Sequence, residues 1–128
     1  MKTTAAERHE FLINTLRERI LILDGACGTM VQKHHLTEAD YRGSRFADSP
    51  RDLKNNNDLL VLTQPGIICG IHAAYAAAGA DILTTSTFSA TSIGQHEFFH
   101  ETRLSERGQE YYDEVLADAP LAALAREI

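Results

Sequence analysis

Cysteine is scarce in this sequence. Cys27 and Cys69 are the only two, and their separation matches no metal motif and suits a reducing compartment. Basic residues are also in short supply, twelve against eighteen acidic, for a net charge of −6 and a pI near 5.4. A phosphate backbone or an anionic bilayer would meet net repulsion, so neither nucleic acid nor a membrane surface is an expected partner. Long apolar runs are missing too. The longest aliphatic stretch, Ile20-Leu21-Ile22-Leu23, falls far short of the ~20 residues that cross a bilayer. The first ten residues carry charge where a secretory signal needs an apolar core. There is no internal repeat, low-complexity tract or loose linker. What is present is an ordinary globular balance, 44 % hydrophobic and 23 % charged over 128 residues, enough for one domain over 1–128. The expectation is a soluble, cytoplasmic, acidic single domain.

Thr4 with Glu7 makes a capping box, and Phe11, Leu12 and Leu16 follow at helical spacing, predicting a helix over about 5–18. Ile20–Leu23 reads as a buried strand running into the turn Asp24-Gly25. Residues 33–58 are polar and irregular, with a possible short helix capped by Thr37 and turn formers at Asn55-Asn56-Asn57-Asp58. Leu59–Leu62 reads as a short strand or extended segment. The clearest helix starts at Pro65 and ends at Gly79, with Ile67, Ile68, Ile71 and Tyr75 on one face. Residues 81–88 read as a second strand, polar toward its end. Beyond it a short helix is expected near 91–99. Another, capped by Ser105, should carry Tyr111, Val115 and Leu116 on its apolar face. Pro120 should interrupt it before a last helical piece bearing Leu121, Leu124 and Ile128.

A strand, a crossover helix and a second strand make a parallel βαβ unit. Its polar tips, Asp24-Gly25 and Thr85-Ser86-Thr87, lie where α/β folds place ligands, at the carboxyl ends of strands.

The run Asp24-Gly25-Ala26-Cys27-Gly28-Thr29-Met30-Val31-Gln32 resembles the Asp-Gly-Gly/Ala-Met-Gly-Thr-Met-Ile-Gln opening of the homocysteine S-methyltransferase domain. Four further blocks agree in order: Phe46–Asp48, Leu53–Leu60, Gly79–Ile82 and Thr87–Ile93. The resemblance is clear from about Leu16 to Gln95 and is greatest to cobalamin-dependent methionine synthases. It implies a (β/α)8 barrel that binds homocysteine as a zinc thiolate. Three cysteines hold the metal, which keeps the sulfur deprotonated for attack on a methyl group. The methyl group is carried by methylcobalamin and drawn from methyltetrahydrofolate. The zinc cysteines lie on later strands than any here, and a barrel takes roughly 250 residues. The expected fold is therefore α/β, an incomplete (β/α)8 TIM-type barrel: two βα units plus an N-terminal helix, helix-rich. This half-barrel should bind neither zinc nor cobalamin by itself. Its strands need burial on both sides, so a homo-oligomer or a complementary barrel half is the expected partner, with homocysteine as the family substrate.

In that role the resemblance assigns no catalytic residue to this chain and places substrate binding on Asp24, Gly25, Ala26, Cys27, Gly28, Thr29, Thr85 and Ser86. Backbone N–H groups of Gly25–Gly28 would hold the substrate carboxylate. A plain reading competes with this, in which the glycines serve φ > 0 in a tight turn that the aspartate caps. Cys27, where the family usually carries methionine, and Cys69, mid-helix, read as small packed residues. Thr84 and Ser86 depart from the Glu-Thr-Asn-Thr-Phe of typical methionine synthases, a change that weakens any ammonium contact at the first of these positions.

His96-Glu97-Phe98-Phe99-His100 matches the His-Glu-x-x-His pattern of zinc hydrolases, with His96 and His100 as metal ligands, Glu97 as base, and Glu114 or Glu127 as third ligand. It stands as a minor alternative, beside a non-catalytic module or split subunit acting by association. His34, His35 and His72 read as solvated or helix-surface residues.

Overall fold

The computed structural model describes residues 3–101 and 108–128. The chain divides into two compact units, Met1–Gly25 with His72–Thr84, and Ala26–Ile71 with Thr85–Ile128.

In the first unit, α1 spans Ala5–Glu18, and the Thr4–Glu7 capping box forms in both directions. None of its residues is buried. The two predicted strands shrink to one parallel bridge between Leu23 and Ile82, held by Asp24 N–H to Ile82 O at 2.9 Å and Asp81 N–H to Ile22 O at 2.8 Å. Residues 84–88 form no strand. A lone pair of short strands has too few neighbours to propagate a ladder, and side chains take over its edge. The Asp81 carboxylate accepts the Ile22 amide at 3.0 Å and a two-pronged contact from Arg19 at 2.6 and 2.8 Å. Those contacts, the guanidinium first, hold the Asp81 carboxyl far below the usual carboxylate range. Ile22 and Leu23, neighbours that point to opposite faces of an extended chain, are each 56 % exposed.

The second unit is helical among its described residues. It contains α2 (Cys27–Gln32), α3 (Glu38–Arg42), a 3₁₀ turn (Asn57–Leu59), α4 (Leu60–Thr63), α6 (Ser92–Phe99), α7 (Gln109–Ala117) and α8 (Ala119–Glu127). The helix between, α5 (Pro65–Ala77), begins in the second unit and ends in the first. The expectation of an extended Leu59–Leu62 is overturned: the run is helical, with Leu59 and Leu60 fully buried. Four apolar residues in a row fit either period, and packing arbitrates. Thr37 caps α3 with Asp40 as its capping-box partner. In α5, Ile68 and Ile71 are buried. Gly79 at φ 102° takes the left-handed turn that ends it, with the Ala80 amide reaching back to Tyr75 O.

Two expectations about side-chain burial are corrected here. Cys69 is exposed, not packed, because it sits one residue, about 100° of helix, off the Ile68–Ile71 stripe. Leu116 is 62 % exposed for the same reason, standing next to the buried Val115. The break expected at Pro120 is present: α7 ends at Ala117 and α8 starts at Ala119, with Pro120 in its first turn and Asp118 capping it by accepting the Leu121 amide at 2.9 Å. The cap expected at Ser105 falls outside the described residues.

No single helix among the described residues is long and apolar enough to cross a membrane.

Candidate functional site

Asp24 and Gly25 belong to the first unit. Asp24 is occupied there: its two carboxylate oxygens accept the Thr84 amide and the Thr84 hydroxyl, both at 2.9 Å. The hydroxyl at 84, in place of the carboxylate typical of methionine synthases, thus becomes a donor to Asp24, where a second carboxylate would repel it. Gly25 is a glycine for close approach and not for φ > 0. A methyl group built on it would lie 2.8 Å from the Tyr75 hydroxyl oxygen, and its φ is not positive.

Ala26, Cys27, Gly28, Thr29, Thr85 and Ser86 belong to the second unit. Ala26 is the N-cap of α2 and offers no side-chain cap, while Thr29 turns its hydroxyl back to Ala26 O at 3.1 Å. Cys27 Sγ lies 3.9 Å from Ser86 Oγ, across 59 residues of sequence. Thr85 is exposed and shares a 2.9 Å hydroxyl–hydroxyl contact with Thr87. A methyl group built on Gly28 would stand 3.8 Å from Asn57 Nδ2. The start of α2 therefore touches Ser86 through Cys27 and approaches Asn57 at Gly28.

What holds these pieces is a polar hub that sequence reasoning passed over as turn formers. Asp58, 5 % exposed, accepts the backbone amides of Phe88, at 3.2 Å, and of Ser89. Asn56 and Gln95, at 2 % and 0 % exposure, exchange amide hydrogen bonds of 2.7 and 3.3 Å, and Gln95 Nε2 also donates to Ser89 O at 3.1 Å. Tyr41 donates to Asn57 Oδ1 at 2.8 Å. Glu38 organises the approach to this hub. Its carboxylate accepts the Leu53 and Lys54 amides and the Arg42 guanidinium, at 2.7 to 2.8 Å. Burial alone would raise that carboxyl, but these donors together hold it below its ordinary value. The available signal was four consecutive amide and carboxylate side chains followed directly by Leu59-Leu60. Polar residues that close to a buried run need internal partners.

The His96–His100 pair is engaged otherwise than as a zinc ligand set. The rings stack at 4.7 Å, His96 Nδ1 contacts the Tyr111 hydroxyl at 3.2 Å, and His100 Nε2 lies 3.3 Å from Asp118. Glu127, a candidate third ligand, is bound in a two-pronged pair by Arg45. Among the described residues no three His, Cys, Asp or Glu side chains converge. The thiolate zinc site implied by the resemblance does not fit either: three cysteines are needed, and of the two present one lies against Ser86 and the other is exposed.

Burial first, and the neighbouring His100 charge second, hold His96 below its ordinary value of 6.5, against the pull of Asp118, Glu97 and Glu114. The unfolded chain therefore binds this proton more tightly than the folded one. Stability from this group is full at neutral pH and is lost as pH falls below about 6.5. Thermal melts should show wild type losing more stability between about pH 7 and pH 5 than His96→Gln; parallel pH profiles would refute this.

The model of a protein family described as homocysteine S-methyltransferase matches residues 21–127, a span that includes every candidate site residue above.

Proposed function

The chain belongs to the homocysteine S-methyltransferase family, and from that premise we propose that it supplies the amino-acid end of a homocysteine site. Ala26, Cys27, Gly28 and Thr29 at the start of α2, with Thr85 and Ser86, receive the ammonium and carboxylate of the substrate. The observation that carries this reading is the 3.9 Å approach of Cys27 to Ser86. It brings together two segments far apart in sequence that each read as a polar tip.

A metal bound to the substrate sulfur would lower the thiol pKa from about 8.5 and so raise the fraction present as nucleophile at neutral pH. This chain has no thiolate set for that metal. We therefore assign methyl transfer to an assembly in which further polypeptide provides the metal, in the manner of a cobalamin-dependent methionine synthase, with this chain orienting the substrate.

An NMR titration tests both halves. L-homocysteine should shift the amide signals of Cys27, Gly28, Thr29, Thr85 and Ser86 saturably, and the 128-residue chain alone should form no methionine from homocysteine and methylcobalamin. Shifts absent from these residues at tens of millimolar ligand would overturn the site, and methionine formed by the chain alone would overturn the division of labour.

A further inference from the structure

Asn57 reads from sequence only as a turn former, yet its side chain is held as a donor aimed at the proposed site. Tyr41 is buried at 5 % exposure and donates its hydroxyl to Asn57 Oδ1 at 2.8 Å. Burial pushes that hydroxyl's pKa up, against a smaller pull from the Asn55 backbone, so it stays protonated and able to donate at neutral pH. An amide side chain has one acceptor end and one donor end. With Oδ1 committed to a donor, Nδ2 must face the other way. That direction is the first turn of α2, where Nδ2 stands 3.8 Å from the position of a methyl group on Gly28. An alanine there would meet the amide in ordinary contact; the glycine leaves that space open.

Neither Asn57 nor Tyr41 carries charge at neutral pH, so this pair sets no negative charge against an anionic ligand. The nearest carboxylate in sequence, Asp58, is already occupied by the Phe88 and Ser89 amides. An amide NH₂ that donates to no other described residue, beside a glycine in a helix turn, is a donor that carboxylates accept readily.

We propose that Asn57 is a substrate-binding residue of this site, its Nδ2 donating to the carboxylate of the bound α-amino acid and its orientation set by Tyr41. The proposal rests on the homocysteine reading above and adds to it a side-chain determinant outside both tips.

Asn57→Asp is the sharpest test. It keeps the shape and the acceptor oxygen that Tyr41 needs, and replaces only the donor with a second, charged oxygen. L-homocysteine binding followed by NMR should weaken about tenfold, the scale of one lost charge-assisted hydrogen bond. Binding of the decarboxylated analogue of homocysteine should not weaken. Tyr41→Phe, which frees the amide to turn over, should weaken homocysteine binding several-fold, again without effect on the analogue; it decides the matter if Asn57→Asp does not fold. Unchanged homocysteine affinity in these variants would overturn the proposal and leave the site reading standing. An equal loss for both ligands would overturn it as well, marking Asn57 as merely structural. Failure of the wild-type chain to bind homocysteine would remove the site reading and this proposal together.

Discussion

Replacing Asp58 with alanine is expected to lower stability by about 2–4 kcal/mol, near the upper end for a single substitution. The carboxylate is 5 % exposed and accepts two main-chain amides, those of Phe88 and Ser89. Both amides lie in the segment that follows Ser86. The Phe88 side chain itself is fully exposed, so its packing does nothing to hold the turn. Without Asp58 two backbone donors lose their acceptor, and the position of Ser86 opposite Cys27 is released with them. The Asp58→Asn variant keeps one acceptor oxygen but turns an NH₂ toward one of the amides, and should fall between alanine and wild type. Urea melts give the comparison. A loss below about 0.5 kcal/mol for the alanine variant, the range of ordinary surface substitutions, would show that the turn is held by something else.

The Asn56–Gln95 pair should give the second large effect and a diagnostic pattern of non-additivity. Each amide is almost entirely buried and satisfied mainly by the other. Changing either residue alone to leucine strands its partner without solvent, at about 2–4 kcal/mol. Changing both removes the stranded group, so the double variant should cost less than the sum of the singles by about 1–2 kcal/mol. Gln95→Leu also strips Ser89 O of a donor, and it should be the costlier single change. Additivity within about 0.5 kcal/mol in a double-mutant cycle would mean that the two amides are independently solvated.

The helices with strong local signatures were legible from sequence. The Thr4–Glu7 box, the Thr37 cap and the Pro65-to-Gly79 span all appear as read, because caps, prolines and glycines act within a few residues of themselves. For the candidate ligand tips, read from their place in the chain and from family resemblance, the structure adds that Cys27 and Ser86 lie 3.9 Å apart. The hub at Asn56, Asn57 and Asp58 was not legible. An asparagine that starts a turn and an asparagine that bonds a buried glutamine look the same in sequence, and only the long-range partner tells them apart.

Sequence by itself determined where this chain forms helices with their own start and stop signals, its acidic balance, its shortage of thiols and its family. Tertiary structure decided whether Leu59-Leu60 would be helix or strand, which way Cys69 and Leu116 face, and that Asp24 answers Thr84 while Asp58 answers Phe88 and Ser89. Each of those outcomes depends on a partner tens of residues away or on which flank of an element is covered. Local propensity differs by only a fraction of a kcal/mol between the alternatives, whereas burying a leucine or satisfying a buried amide is worth about 1–3 kcal/mol.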